Sequence, residues 1–143
     1  MTKRRDDWPI VLEAQIRESK EKEFDWATHN CVLFAANIVL SITGMDFMHK
    51  YRERCVSEKS ALRIVVEVCG GYDVEKFIEI LMQDSCFPEK PKNKAQRGDI
   101  VLINTEIGPA AAIVGSGGKV VAVGKTGVVL FPLNKATRAW GTN

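Results

Sequence analysis

Apolar positions recur every three to four residues in most of the first 85 positions, apart from a connection at 45–56 without a clear period, and after Pro88 they fall in short β-branched runs, so helices are expected first and strands second. Val11, Leu12 and Ile16 line one face of a first helix that carries Pro9 in its opening turn, where a missing N–H costs nothing; Asp6 or Asp7 is its cap and it ends near Glu23. A second helix starts at Asn30 or Cys31, with Thr28 or Asn30 as cap, and places Cys31, Phe34, Ala35, Ile38, Val39 and Ile42 on one stripe before Gly44 stops it. Val32, Leu33, Ala36 and Leu40 are apolar too, which puts this helix at the centre of the fold. Ser57 caps a third helix that presents Leu62, Val65, Val66 and Cys69 and closes at Gly70-Gly71. Asp73 caps a fourth that carries Val74, Phe77, Ile78 and Leu81.

Beyond a loop of prolines and lysines, four strands are expected, at Ile100 to Ile103, Ala110 to Val114, Val120 to Val123 and Val128 to Phe131. Glycine-rich turns separate them at roughly ten-residue spacing and no helix pattern intervenes, which predicts sequential antiparallel hairpins. The tail from Leu133 reads as a last helical turn anchored by Trp140. The fold class is therefore α+β. It is expected as one domain over residues 1–143, with a helical part at 1–87 and a β part at 97–143 that forms an antiparallel sheet or half-barrel.

Composition narrows the partners. No apolar run reaches the roughly 18 residues that a membrane span needs, and the N-terminus lacks the apolar core of a signal peptide. Four widely spaced cysteines without a C-x-x-C pair exclude a zinc site and point to free thiols, so no metal and no cofactor is expected. A net charge of +2 conceals a C-terminal excess, with Lys90, Lys92, Lys94 and Arg97 clustered around prolines. Without interleaved aromatics this is a solvated loop rather than a nucleic-acid site. The G-K-T-G segment at 124–127 lacks the upstream glycine of a nucleotide loop and no helix follows it, so it is a hairpin turn.

The candidate chemistry gathers at Cys31. A cysteine on the first turn of a helix faces unpaired backbone N–H groups and the positive end of the dipole, which favour the thiolate. Burial of a cysteine on an apolar helix is the duller alternative. His29 and His49 are the only imidazoles, so a cysteine–histidine mechanism must use one of them. His29 lies two residues before Cys31 and is the possible unusual base; His49 follows the far end of the helix, roughly 20 Å away at 1.5 Å per residue.

The pattern F-x-W-x-x-x-x-C-x-x-F-A-A-N at 24–37, with T-G-x-D at 43–46, A-L-R at 61–63, A-Q-R-G-D-I-V-L at 95–102, and F-P-L and A-W near the end, resembles a family of small phage-encoded proteins from tail gene clusters, members of the NlpC-type, papain-like cysteine peptidase superfamily. The resemblance implies a cysteine-bearing central helix packed on the sheet. In active NlpC-type enzymes the cysteine follows Asp and a strand histidine is the base. By position Cys31 matches the nucleophile, Asn30 stands where the Asp would be, and Gly98-Asp99 starts the first strand. Pro109 or Ala110 stands where the histidine is expected, since no histidine occurs after His49. Trp26, Asn30 and Asp99 are carried over as candidate binding residues. The implied function is a structural or assembly protein of the virion tail, at the tail tip, made in the host cytoplasm, with other tail proteins and peptidoglycan as partners and its catalytic pair lost. The alternative is an active cysteine amidase or endopeptidase that cuts peptidoglycan as the phage genome enters the cell.

Overall fold

The computed structural model describes residues 3–26, 29–106, 108–124 and 126–143. Four helices, α1 (Trp8–Ser19), α2 (Cys31–Thr43), α3 (Glu58–Cys69) and α4 (Val74–Asp84), precede six strands: β1 (Glu89–Lys90), β2 (Ile100–Thr105), β3 (Gly108–Val114), β4 (Lys119–Gly124), β5 (Gly127–Pro132) and β6 (Ala136–Trp140). The strands form one antiparallel sheet in the order β1-β6-β2-β3-β4-β5.

Local chemistry explains most of the boundaries. The Asn30 side chain accepts the Leu33 N–H at 2.9 Å and so caps α2, while Gly44 ends that helix in the left-handed region at φ 81°. The alternative cap Thr28, and Lys125 of the glycine turn, lie outside the described residues. Ser57 and Ser60 form a reciprocal capping box at α3, and Asp73 caps α4. Asp7 is positioned as the cap of α1 but its carboxylate goes to Arg5 instead, and the helix stops at Ser19, short of the expected Glu23.

Alternation along the strands divides the sheet into two faces. Ile100, Leu102, Ala111, Ile113, Val121, Val123 and Trp140 join the helices in the main core, around the fully buried Leu33, Phe34, Ile38 and Ile42 of α2. Val101, Ile103, Ala112, Val114 and Val120 form a second cluster, with Ala110, Ala122 and Ala139, on the opposite face. Sequence periodicity places Cys31 on the main core stripe. In the structure it is half-buried and packs against the second, alanine-rich cluster.

Two expectations are corrected. The tail is not a helical turn: residues 136–140 form β6, which inserts between β1 and β2. A register shift between Leu102 and Ile103 accommodates it, and the sheet is therefore not a simple succession of hairpins. In α3 the buried residues are Ile64 and Val65, whereas Leu62 and Val66 stay 37% and 46% exposed. The reason is positional, because Leu62 borders an open cleft rather than the core.

Candidate active-site cleft

A cleft of about 660 Å³ runs between the helices and the sheet, and Cys31 lies in its wall. The loop before α2 brings Trp26 and Asn30 to it, α3 and α4 contribute Leu62, Val65 and Phe77, and the sheet contributes Asn104, Pro109, Ala110, Ala122 and Val129. Asn30 ties the floor together. Its Nδ2 donates to the Trp26 carbonyl at 3.0 Å and to Cys55 Sγ at 3.7 Å, and Cys55 in turn donates to the same carbonyl at 3.3 Å. With Oδ1 engaged in the cap, Asn30 is a scaffold for the cysteine and retains no free polar atom for a ligand.

The thiol of Cys31 is held above its ordinary pKa. Burial is the largest cause; backbone N–H groups of Ala111, Val32 and Cys31 itself pull the other way, and the neighbouring Cys55 adds to the rise. The helix-start argument thus identifies a real stabilisation of the thiolate but not the larger effect that opposes it. At neutral pH the group is a thiol, whose nucleophilicity needs a base.

Among the described residues no imidazole lines the cleft. His29 is buried and belongs to a small bridge with Asp25, in which each backbone N–H donates to the other residue's carbonyl. Its ring meets Phe34 edge-on with centroids 6.0 Å apart, and its Nε2 has no hydrogen-bond partner among the described residues. Burial, and then Lys22, lower its pKa, with Asp25 opposing. It is a neutral imidazole packed on the main core. His49 is exposed in the turn after α2. The structure therefore brings Cys31, Trp26 and Asn30 together and leaves both histidines outside.

Asp99 lies elsewhere. It is 2% exposed and accepts from Arg4 Nη2 at 3.0 Å, Lys90 Nζ at 2.8 Å and the Gln96 N–H at 2.8 Å. Thr142 accepts from Arg4 and donates to the Gly98 carbonyl at 2.8 Å, so both chain ends converge on the R-G-D turn. Gly98 has a φ of 90°, which favours glycine, and a Cβ there would press on the Arg4 guanidinium at 3.0 Å. Asp99 is a buried anchor.

Sequence reasoning missed Cys55, the rim residues Leu62, Tyr72 and Val129, and the polar group Asn104, Glu106 and Lys135. The sequence places Leu62 on the apolar face of α3, and the others carry no local signal that points to a cleft. Among the described residues no cluster of histidine, cysteine and carboxylate side chains could hold a metal ion, and no helix is long and apolar enough to cross a membrane.

Helices followed by an antiparallel sheet, with a cysteine at the start of the central helix, define the NlpC/p60 class of papain-like folds, and the comparison with solved structures agrees. The chain is similar to the crystal structure of the NlpC/p60 domain of the peptidoglycan hydrolase SagA, with a TM-score of 0.57 and 16% identity over 93% of this chain and 97% of that one. The chain belongs to the family described as Domain of unknown function (DUF6950), whose pattern matches residues 3–142. No curated protein matches it in sequence.

Proposed function

We propose that this chain is a phage tail protein, of structural or assembly function, in which an NlpC-like hydrolase fold has lost its catalytic pair and acts as a binding module through the cleft. The single observation that carries the loss is the surroundings of Cys31: a thiol raised in pKa by burial, in a cleft that no imidazole lines among the described residues, with Pro109, Ala110 and Ala122 on the sheet side. Removing the base from such a pair forfeits several orders of magnitude in rate. The tail assignment rests on the sequence pattern at 24–46 and 95–102, and it makes other tail proteins the partners.

Incubating the purified protein with peptidoglycan, and following release of soluble fragments, tests the loss of activity. The expected release equals that of Cys31→Ala. Release at ordinary enzyme rates that Cys31→Ala abolishes would overturn the reading. Detection in purified virions at fixed stoichiometry tests the tail assignment; absence from them overturns it.

One observation favours the alternative of an active cysteine amidase or endopeptidase on peptidoglycan. Three backbone N–H groups, from Ala111, Val32 and Cys31, act on the sulfur in the sense that stabilises an anion. That reading needs a base, and His29 would have to leave its packing against Phe34 to supply one.

A further inference from the structure

We propose that the cleft binds a short extended peptide with apolar side chains, a reading that rests on the cleft being a binding site and names what it takes. Its walls are apolar well beyond what Cys31 requires. Trp26, Met48, Val65 and Phe77 form the helical side. At the mouth, Leu62, Tyr72 and Val129 line the same cleft from both lips and remain 37%, 63% and 38% exposed. Large apolar side chains left open at the rim of a concave site mark a surface that a ligand covers.

The polar groups of the cleft divide into two sets. Asn30 and Cys55 are spent on the floor, whereas the side chains of Asn104, Glu106 and Lys135 are solvent-exposed and make no hydrogen bond or ion pair among the described residues. These three supply an amide, an acceptor-only carboxylate and a donor-only ammonium on the sheet side. A peptide backbone, which alternates N–H donors and C=O acceptors, can use all three while its side chains face the helical wall. A hydrocarbon chain uses none of them. An acidic muropeptide stem can pair a carboxylate with Lys135, but it meets Glu106 with like charge and brings few apolar side chains to the helical wall. The volume of about 660 Å³ lies within the roughly 300–1,000 Å³ typical of small-ligand sites.

Isothermal titration of the full chain with acetyl-leucyl-seryl-phenylalanyl-serine amide, whose two apolar side chains fall on one face when extended, tests the proposal. Muramyl dipeptide and myristate serve as the polar and hydrocarbon comparisons. The expected result is saturable binding of the capped peptide below about 1 mM, weaker binding of both comparisons, and a loss of about tenfold or more in Leu62→Ser/Tyr72→Ser. Val129→Ser, on the opposite lip, is expected to weaken binding in the same direction, and it carries the test if the double variant fails to fold. No saturation at 1 mM, equal or tighter binding of either comparison, or unchanged binding in folded rim variants would overturn it. Peptidoglycan cleavage that depends on Cys31 would remove the loss of catalysis while leaving this titration intact. Absent peptide binding without cleavage removes only the ligand assigned here.

Discussion

Two short motifs stand out along this chain, the N-C at the start of α2 and the R-G-D before β2, and the structure gives them opposite characters. The R-G-D turn is closed. Both carboxylate oxygens of Asp99 accept hydrogen bonds, from Arg4, Lys90, Gln96 and Thr142, and the residue is buried. The N-C turn is open: Asn30 is fully paired, but the cysteine it positions faces a cleft that no imidazole lines among the described residues. A polar residue that is buried and fully partnered holds the fold, whereas a reactive residue at a cavity with unpartnered neighbours is where binding or chemistry belongs. The two motifs cannot be told apart by their residue types.

The largest effect expected from this contrast is on stability. Asp99→Ala leaves the Arg4 guanidinium, 6% exposed, without its carboxylate, and removing one member of a buried pair costs about 3–5 kcal/mol. Cys31→Ala removes a half-buried sulfur and is expected to cost about 1 kcal/mol. Urea unfolding of the two variants measures both. Equal losses would mean that the cleft cysteine is as much a structural anchor as the aspartate.

Much of this was legible beforehand, and what was not has a physical cause. The caps Asn30, Ser57 and Asp73, the stop at Gly44 and four of the strands follow from local rules, because capping and alternation act within a few residues. The strand at 136–140 was hidden. Its sequence is mixed and its partners, Pro88 to Lys90 and β2, are more than 30 residues away. The cysteine's position at a helix start was readable, as was the lack of a strand histidine. The dominance of burial over the helix-end N–H groups was not, because it depends on which face of the sheet Cys31 meets. Arg4 as the partner of Asp99 was equally out of reach, since 95 residues separate the pair.

A smaller effect sharpens the open side. The Cys31 thiol is raised by burial, so its alkylation by iodoacetamide should rise with pH through a midpoint above the roughly 8.5 of a free cysteine. Cys31→Ala, which leaves the other three thiols, identifies its share of the reaction. Ala110→His places an imidazole on the strand that lines the cleft beside it, and is expected to raise the alkylation rate of Cys31 at pH 7 about tenfold, equivalent to lowering the thiol by one pK unit. A midpoint at or below about 7.5 in the natural chain would show a thiolate already activated, and the contrast between a closed anchor and an unactivated cleft thiol would fail.

The smallest effect concerns His29, which fits neither pattern, since it is buried like Asp99 but its Nε2 has no partner among the described residues. Burial lowers its pKa in the folded chain below the roughly 6.5 of the unfolded one. The neutral ring therefore contributes stability that is complete above the unfolded value and is lost as pH falls through the folded value, because only the unfolded chain then gains a proton readily. Replacing it by leucine removes both the titration and the unpaired nitrogen while keeping an apolar contact for Phe34. Urea midpoints between pH 7.5 and 5 should fall less in His29→Leu than in the natural chain, with no change in Cys31 alkylation at pH 7. Should the variant instead slow that alkylation, the imidazole reaches the sulfur in solution, and the cleft would have a base that its packed position against Phe34 conceals.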